Sequence, residues 1–150
     1  MLEQIERECL AAEAHHAGEI RFAIETALPF AALWHGVTAR ARAVQLFAHL
    51  HLWDTPHNNG VLIYVLRADR AIEIIADRGI SSHVMPEEWQ AICRDVQTLY
   101  GQGRYAEGSR AAVAAVAALL IRHFPAGAPD STAAPGHAPG IELPIQPILL

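Results

Sequence analysis

The sequence predicts an α/β domain built around a mixed β-sheet, and three observations predict it. Apolar residues recur at helical spacing in four segments, while three others are short, β-rich and bounded by glycine, proline or polar turns. These segments run in the order helix, strand, helix, strand, strand, helix, helix. Only Arg67-Ala-Asp-Arg70 joins the last two strands, a connection short enough for nothing but an antiparallel hairpin, whereas a right-handed crossover through a helix makes the first two parallel.

Leu2, Ile5, Cys9 and Ala12 recur at three- and four-residue steps among glutamates, giving an amphipathic helix from Leu2 to His15 that Gly18 ends. His15 and His16 suit the negative end of its dipole. Glu19 to Glu25, set between Gly18 and Pro29, reads as the first strand. A loop follows through Leu33-Trp34-His35-Gly36. Thr38 is placed to cap a second helix reaching Leu52, with Ala41, Val44, Phe47 or Ala48, and His51 at helical steps.

Asp54-Thr-Pro-His-Asn-Asn-Gly60 cannot continue that helix, because Pro56 has no amide to donate and the rest are turn formers. Val61–Leu66 and Ala71–Ala76 are the hairpin strands. Pro86, with Glu87 and Glu88 behind it, fits the first turn of a helix running to about Tyr100, for which Ser81-Ser82 read as an N-terminal cap. The last helix, Tyr105 to Phe124, is apolar nearly all round and is expected to be packed on both sides or to lie across the sheet.

A chain of 150 residues, 52% hydrophobic, buries one sizeable core, expected over residues 1–125. From 126 to 150 the composition turns to alanine, proline and glycine and reads as a flexible tail. Its end, Ile141 to Leu150, is apolar again. That end is either frayed or a short extended segment that docks on a groove or sheet edge, its own or an unknown protein partner's.

Eleven basic residues against 16 acidic ones argue against a nucleic-acid surface. All eleven are arginine, which excludes lysine-dependent phosphate clamps and Schiff bases. The longest apolar run, Ala111 to Ile121, is about half the ~20 residues of a membrane span. The start carries charge from its third residue and lacks the order of a signal peptide, and Cys9 and Cys93 stand without pairing motifs. A cytoplasmic protein is expected.

The topology gathers one group of unusual residues. The start of the first strand (Glu19), the start of the second (Asn58, Asn59, Gly60) and the end of the third (Asp77, Arg78, Gly79) share one end of the sheet, with Asp54 above it. These are oxygen ligands of the kind Ca²⁺ and Mg²⁺ prefer, so Asp54, Asn58, Asn59, Asp77 and Glu19 are the candidate metal ligands. A plain turn uses the same residue types. His57 is the one residue of the loop able to exchange a proton near neutral pH.

Other chemistries find less support. His49-Leu-His51-Leu-Trp-Asp54-Thr-Pro-His57 echoes a zinc hydrolase motif, but its spacing is off, and positions 49 and 51 of a helix face different sides. No serine lies in a Gly-x-Ser-x-Gly elbow, and no GxGxxG follows a strand.

His16-Ala-Gly-Glu-Ile-Arg-Phe-Ala-Ile-Glu25, Ala41-Arg-Ala-Val, Trp53-Asp-Thr-Pro-His-Asn-Asn-Gly-Val-Leu-Ile-Tyr64 and Glu73-Ile-Ile-Ala-Asp-Arg-Gly-Ile80 closely resemble the stand-alone bacterial branch of the TPM domain family. The terminal Glu-Leu-Pro-x-x-Pro is similar to the tail of that branch. The resemblance implies a three-layer α/β/α sandwich, divalent-cation binding at the loop end of the sheet, and the acid phosphatase activity of a plant thylakoid-lumen relative. It also implies roles in assisting membrane receptors. Pro56 departs from the pattern, standing where an acidic residue is expected.

Two function classes follow. One is a divalent-cation-binding interaction or assembly-assisting module whose metal orders the Asp54–Gly60 loop. The other is a metal-dependent phosphatase acting on phosphate monoesters, with His57 protonating the leaving group and Arg78 clamping a phosphate oxygen. The residues favour the first, since no nucleophile and base stand at a committed spacing.

Overall fold

The computed structural model describes residues 2–13, 15–127 and 148–149. Strands β1 (Glu19–Glu25), β2 (Gly60–Leu66), β3 (Ala71–Ala76) and β4 (Ile148–Leu149) form one sheet in the order β3-β2-β1-β4. β1 runs parallel to β2 with Glu19 opposite Gly60, and β3 runs antiparallel to β2 with Ala76 opposite Val61. The mixed sheet expected from the crossover and the hairpin is therefore present.

Strand side chains alternate between two faces, and each face has its own core. Ile20, Phe22, Ile24, Val61, Ile63, Val65, Ile72 and Ile74 meet residues of α1 (Leu2–Glu13), α5 (Pro86–Gly101) and α6 (Tyr105–His123). Ala23, Leu62, Tyr64, Leu66 and Ile75 meet Ala43 and Leu46 of α3 (Ala39–His49). Helices on both faces make the three-layer sandwich. α6 buries Val113, Val116 and Leu120 and packs against α1, α5 and the sheet, which explains why its sequence is apolar nearly all round.

Several boundaries differ from those expected, each for a local reason. α1 ends at Glu13, and His16 leaves the helix to become buried, its Nδ1 accepting the Gly18 amide at 3.1 Å. Thr38 caps α3 as expected, its Oγ1 accepting the Ala41 amide, but α3 stops at His49, two residues before His51 takes a left-handed φ of 55°. His49 and His51 are both exposed.

Two short helices replace expected loop or strand ends, α2 (Phe30–Trp34) and α4 (Arg78–Ser81); at five and four residues neither is long enough to show a periodic pattern. Ser81 and Ser82 do not cap α5. Met85 is its N-cap, and its amide donates to the Glu88 carboxylate at 3.1 Å, while the Ser82 hydroxyl turns back to the Gly79 carbonyl. The expected flexible tail falls mostly outside the described residues. Ile148–Leu149 is described, as β4 on the outer edge of β1.

Candidate functional site

The register places Glu19, the Asp54–Gly60 loop and Asp77 at one end of the sheet. Two glycines set how closely they approach. A Cβ at Gly60 would lie 2.2 Å from the Leu52 carbonyl oxygen, and one at Gly79 would lie 2.1 Å from that of His57, so neither position admits a side chain. The loop consequently rests directly on the β3–α4 junction. The Gly79 amide donates to the Asn58 carbonyl at 2.7 Å, and Asn58 adopts a left-handed φ of 51°, a conformation asparagine tolerates better than most residues.

The marked residues divide by how much of their chemistry is already engaged. Asn59 is 1% exposed and acts as a latch: its amide donates to Thr55 Oγ1 at 3.1 Å and its Nδ2 to the Ala17 carbonyl at 3.2 Å, tying the loop to the start of β1. Glu19 holds Arg21 through two contacts, 3.0 Å to Nε and 2.9 Å to Nη2. Asp54 is exposed on the first turn of the loop, where its amide donates to the His51 carbonyl.

Asp77 is the N-cap of α4. Its Oδ1 accepts the Arg78 amide at 2.7 Å, while its Oδ2 is buried with no hydrogen-bond partner. The exposed Arg78 reaches Asn58 Oδ1 at 3.5 Å. His57 is half-buried, its ring against Phe124 at a centroid distance of 6.3 Å.

The structure adds residues to this end that sequence reasoning missed. His83, after α4, lies with its ring 5.5 Å from that of His123 and 5.8 Å from that of Phe124, at the end of α6. The Phe124 carbonyl accepts the Ala17 amide, and His16 bridges to Pro125, which closes α6 onto the start of β1. Burial, more than its neighbour His15, holds the His16 imidazole below its ordinary pKa despite the Gly18 contact. No spacing rule links positions 16, 57, 83 and 123. The available signal was topological, since each lies at the end of an element or in the loop that the fold brings to this side.

Buried polar atoms without partners are uncommon in folded proteins. Five side-chain atoms among the described residues are of this kind, and three of them, His16 Nε2, Asp77 Oδ2 and His123 Nε2, lie at this end. Ser82 and His83 do not form a nucleophile and base. Ser82 Oγ and His83 Nδ1 stand 3.1 Å apart, yet both reach the Gly79 carbonyl, at 3.1 and 2.9 Å. A carbonyl only accepts, so His83 Nδ1 carries the proton and cannot take one from the hydroxyl.

Among the described residues, no three or more His, Cys, Asp or Glu side chains converge to hold a metal ion. Around the loop the donors are oxygens, namely the Asp77 carboxylate with one orphaned oxygen, the Asn58 amide and loop carbonyls, the type a hard cation takes, while the other two unpartnered atoms at this end, His16 Nε2 and His123 Nε2, are imidazole nitrogens.

Comparisons with known proteins agree with the fold. The family profile described as TPM domain matches residues 2–119. The NMR structure of BA42 protein from the psychrophilic bacterium Bizionia argentinensis sp. nov. is similar to this chain with a TM-score of 0.77 and 26% identity, covering 99% of this chain and 91% of that one. The solution NMR structure of the N-terminal domain of a P. gingivalis protein shares the fold with a TM-score of 0.64 and 18% identity, covering 82% of this chain and 78% of that one. No curated protein matches. With a family profile spanning most of its length and the same α/β layers in BA42, the chain belongs to the TPM domain family.

Proposed function

We propose that this domain is a divalent-cation-binding interaction module, taking Ca²⁺ or Mg²⁺ at the Asp54–Gly60 end of the sheet. The observation that carries the reading is the buried, unpartnered Oδ2 of Asp77 beside the loop that Gly79 draws in. A carboxylate oxygen withdrawn from water without a donor is costly, and a hard cation supplies the missing positive charge. Asp77 and Asn58 are the primary ligands, Asp54 swings in from the exposed turn, and Glu19 and Asn59 frame the loop from the β1 side. Bound cation then fixes the loop as a rigid surface for a partner protein.

The exposed Arg78 guanidinium, next to Asn58, favours a second reading, the metal-dependent phosphatase in which Arg78 clamps a phosphate oxygen and His57 is the general acid. The Ser82 hydroxyl is directed to a backbone carbonyl, so in this reading the attacking group would be water.

A titration of the ¹⁵N-labelled chain with Ca²⁺ and with Mg²⁺ tests both readings. Amide shifts are expected first at Asp54–Gly60 and Asp77–Gly79, and Asp77→Asn is expected to abolish them. Shifts that begin at His83 and His123 would refute the site. Metal-dependent turnover of an aryl phosphate that falls about 10²-fold in His57→Ala would establish the phosphatase instead.

A further inference from the structure

Of the three unpartnered atoms at the loop end of the sheet, the Asp77 oxygen belongs to the cation site already described, and two are imidazole nitrogens. A neutral imidazole carries one proton, so the bond made by one ring nitrogen fixes the state of the other. His16 Nδ1 accepts the Gly18 amide, so its Nε2 carries the proton and has no lone pair to give a metal. His83 is the reverse case. Its Nδ1 donates to the Gly79 carbonyl at 2.9 Å, which leaves the lone pair on Nε2 of an exposed side chain. A histidine whose other nitrogen is held by a backbone carbonyl is the form in which imidazole ligates metals, because that bond fixes both tautomer and ring.

His123 supplies a second ring. It is the last residue of α6, and its Nε2 is buried without a hydrogen-bond partner, a state that costs free energy until something engages it. Its ring centroid lies 5.5 Å from that of His83, and the two planes are tilted by 46°. Two imidazoles that share one tetrahedral ion through metal–nitrogen bonds of about 2.0–2.1 Å have their centroids about 5 Å apart. The pair is close to that spacing already. Phe124 meets the His83 ring edge-on, at 5.8 Å and 73°, and so keeps it beside the end of α6.

We propose that His83 and His123 form a second metal site, for a borderline transition-metal ion of the Zn²⁺ or Cu²⁺ class, separate from the hard-cation site at Asp77. Imidazole nitrogen selects such ions over Ca²⁺ and Mg²⁺, as carboxylate and carbonyl oxygens select the reverse. Among the described residues no third His, Cys, Asp or Glu converges on the pair, so water completes the coordination shell and the ion stays exchangeable. The bound ion staples the turn after α4 to the C-terminal end of α6. It also reaches the Asp54–Gly60 loop, because the Gly79 whose carbonyl holds His83 is the residue whose amide holds Asn58. The site does not depend on the binding of Ca²⁺ or Mg²⁺.

The test adds Zn²⁺ to the full ¹⁵N-labelled chain and follows imidazole and amide resonances. The first shifts are expected at the rings of His83 and His123, at concentrations where Ca²⁺ or Mg²⁺ moves neither ring. Changes to the groups behind metal ligands already cost about 10–100-fold in affinity, so His83→Gln, which removes a ligand, is expected to raise the Zn²⁺ needed for half the response by about tenfold or more. His123→Gln is expected to do the same, and Asp77→Asn to leave the response unchanged. If His123→Gln does not fold, melting temperature decides: Zn²⁺ is expected to raise that of the unaltered chain and not that of His83→Gln. First shifts at His15 and His16 or at His49 and His51, an undiminished response in His83→Gln, or no shift at millimolar Zn²⁺ would overturn the proposal. A response lost in Asp77→Asn but kept in His83→Gln would place Zn²⁺ in the hard-cation site, which overturns the second site and leaves the first standing.

Discussion

Gly79 lies so close to the Asp54–Gly60 loop that its amide bonds the Asn58 carbonyl at 2.7 Å and a Cβ on it would fall 2.1 Å from the His57 carbonyl. Gly79→Ala must therefore push the loop off the β3–α4 junction. We expect a loss of about 1–3 kcal/mol in urea unfolding, the usual cost of overpacking, together with a weaker response of the loop amides to Ca²⁺. Unchanged stability would show that the loop yields freely.

At the other end of β1, Glu25 is 4% exposed and accepts from Arg42 Nε at 3.0 Å and from the Tyr64 hydroxyl at 2.8 Å. Burial, together with Glu25, raises the Tyr64 phenol well above its ordinary pKa, and Glu25 raises that of Arg42. Glu25→Ala leaves the hydroxyl and part of a guanidinium without an acceptor, and is expected to cost about 3 kcal/mol or more. Tyr64→Phe removes only one hydrogen bond to a charge, at about 1.5–3 kcal/mol. Chemical denaturation of both variants checks the order, and a larger loss for Tyr64→Phe would contradict it.

His16 makes stability depend on pH. Its folded pKa lies below the ordinary value near 6.5, so above that pH neither state is protonated and its contribution is constant. As the pH falls through 6.5 toward the folded value, the unfolded chain takes the proton that the buried ring resists, and stability declines. The loss between pH 7.5 and 5.5 is expected to be smaller in His16→Gln than in the unaltered chain. Parallel stability curves would remove His16 from this role.

Cys93 is predicted to be a slow thiol. Burial, with Glu73 adding, pushes it up to about 11, so little thiolate exists at pH 8. In a Cys9→Ala background, its reaction with an aromatic disulfide at pH 8 should be on the order of 10²-fold slower than that of a free thiol, and should speed up on unfolding. Rapid labelling of the folded chain would contradict that burial.

The sheet was legible in the sequence because short β-rich runs bounded by turn residues and a four-residue connector leave few arrangements open: Arg67–Arg70 requires a hairpin, and the helix between Glu25 and Gly60 requires a crossover. α2 and α4 were not legible, since one turn of helix leaves no period to detect. The site was legible only in part. Topology brings Glu19, Asn58 and Asp77 together, but whether an oxygen is already engaged depends on distances of tenths of an ångström, and nothing in the chain order distinguishes the satisfied Asn59 amide from the orphaned Asp77 oxygen. The gathering of His16, His83 and His123 arises from how α6 ends, which no local pattern encodes.

The Glu25–Arg42–Tyr64 knot has a mechanical consequence. It clamps one end of the sheet, while three unpartnered atoms, on Asp77, His16 and His123, lie at the far end. Thermal opening should then begin at the Asp54–Gly60 loop and die out before reaching the clamp, as a jaw opens about a fixed hinge. A ligand entering that jaw would tighten the molecule from its loose end without having to unzip a single strand pair.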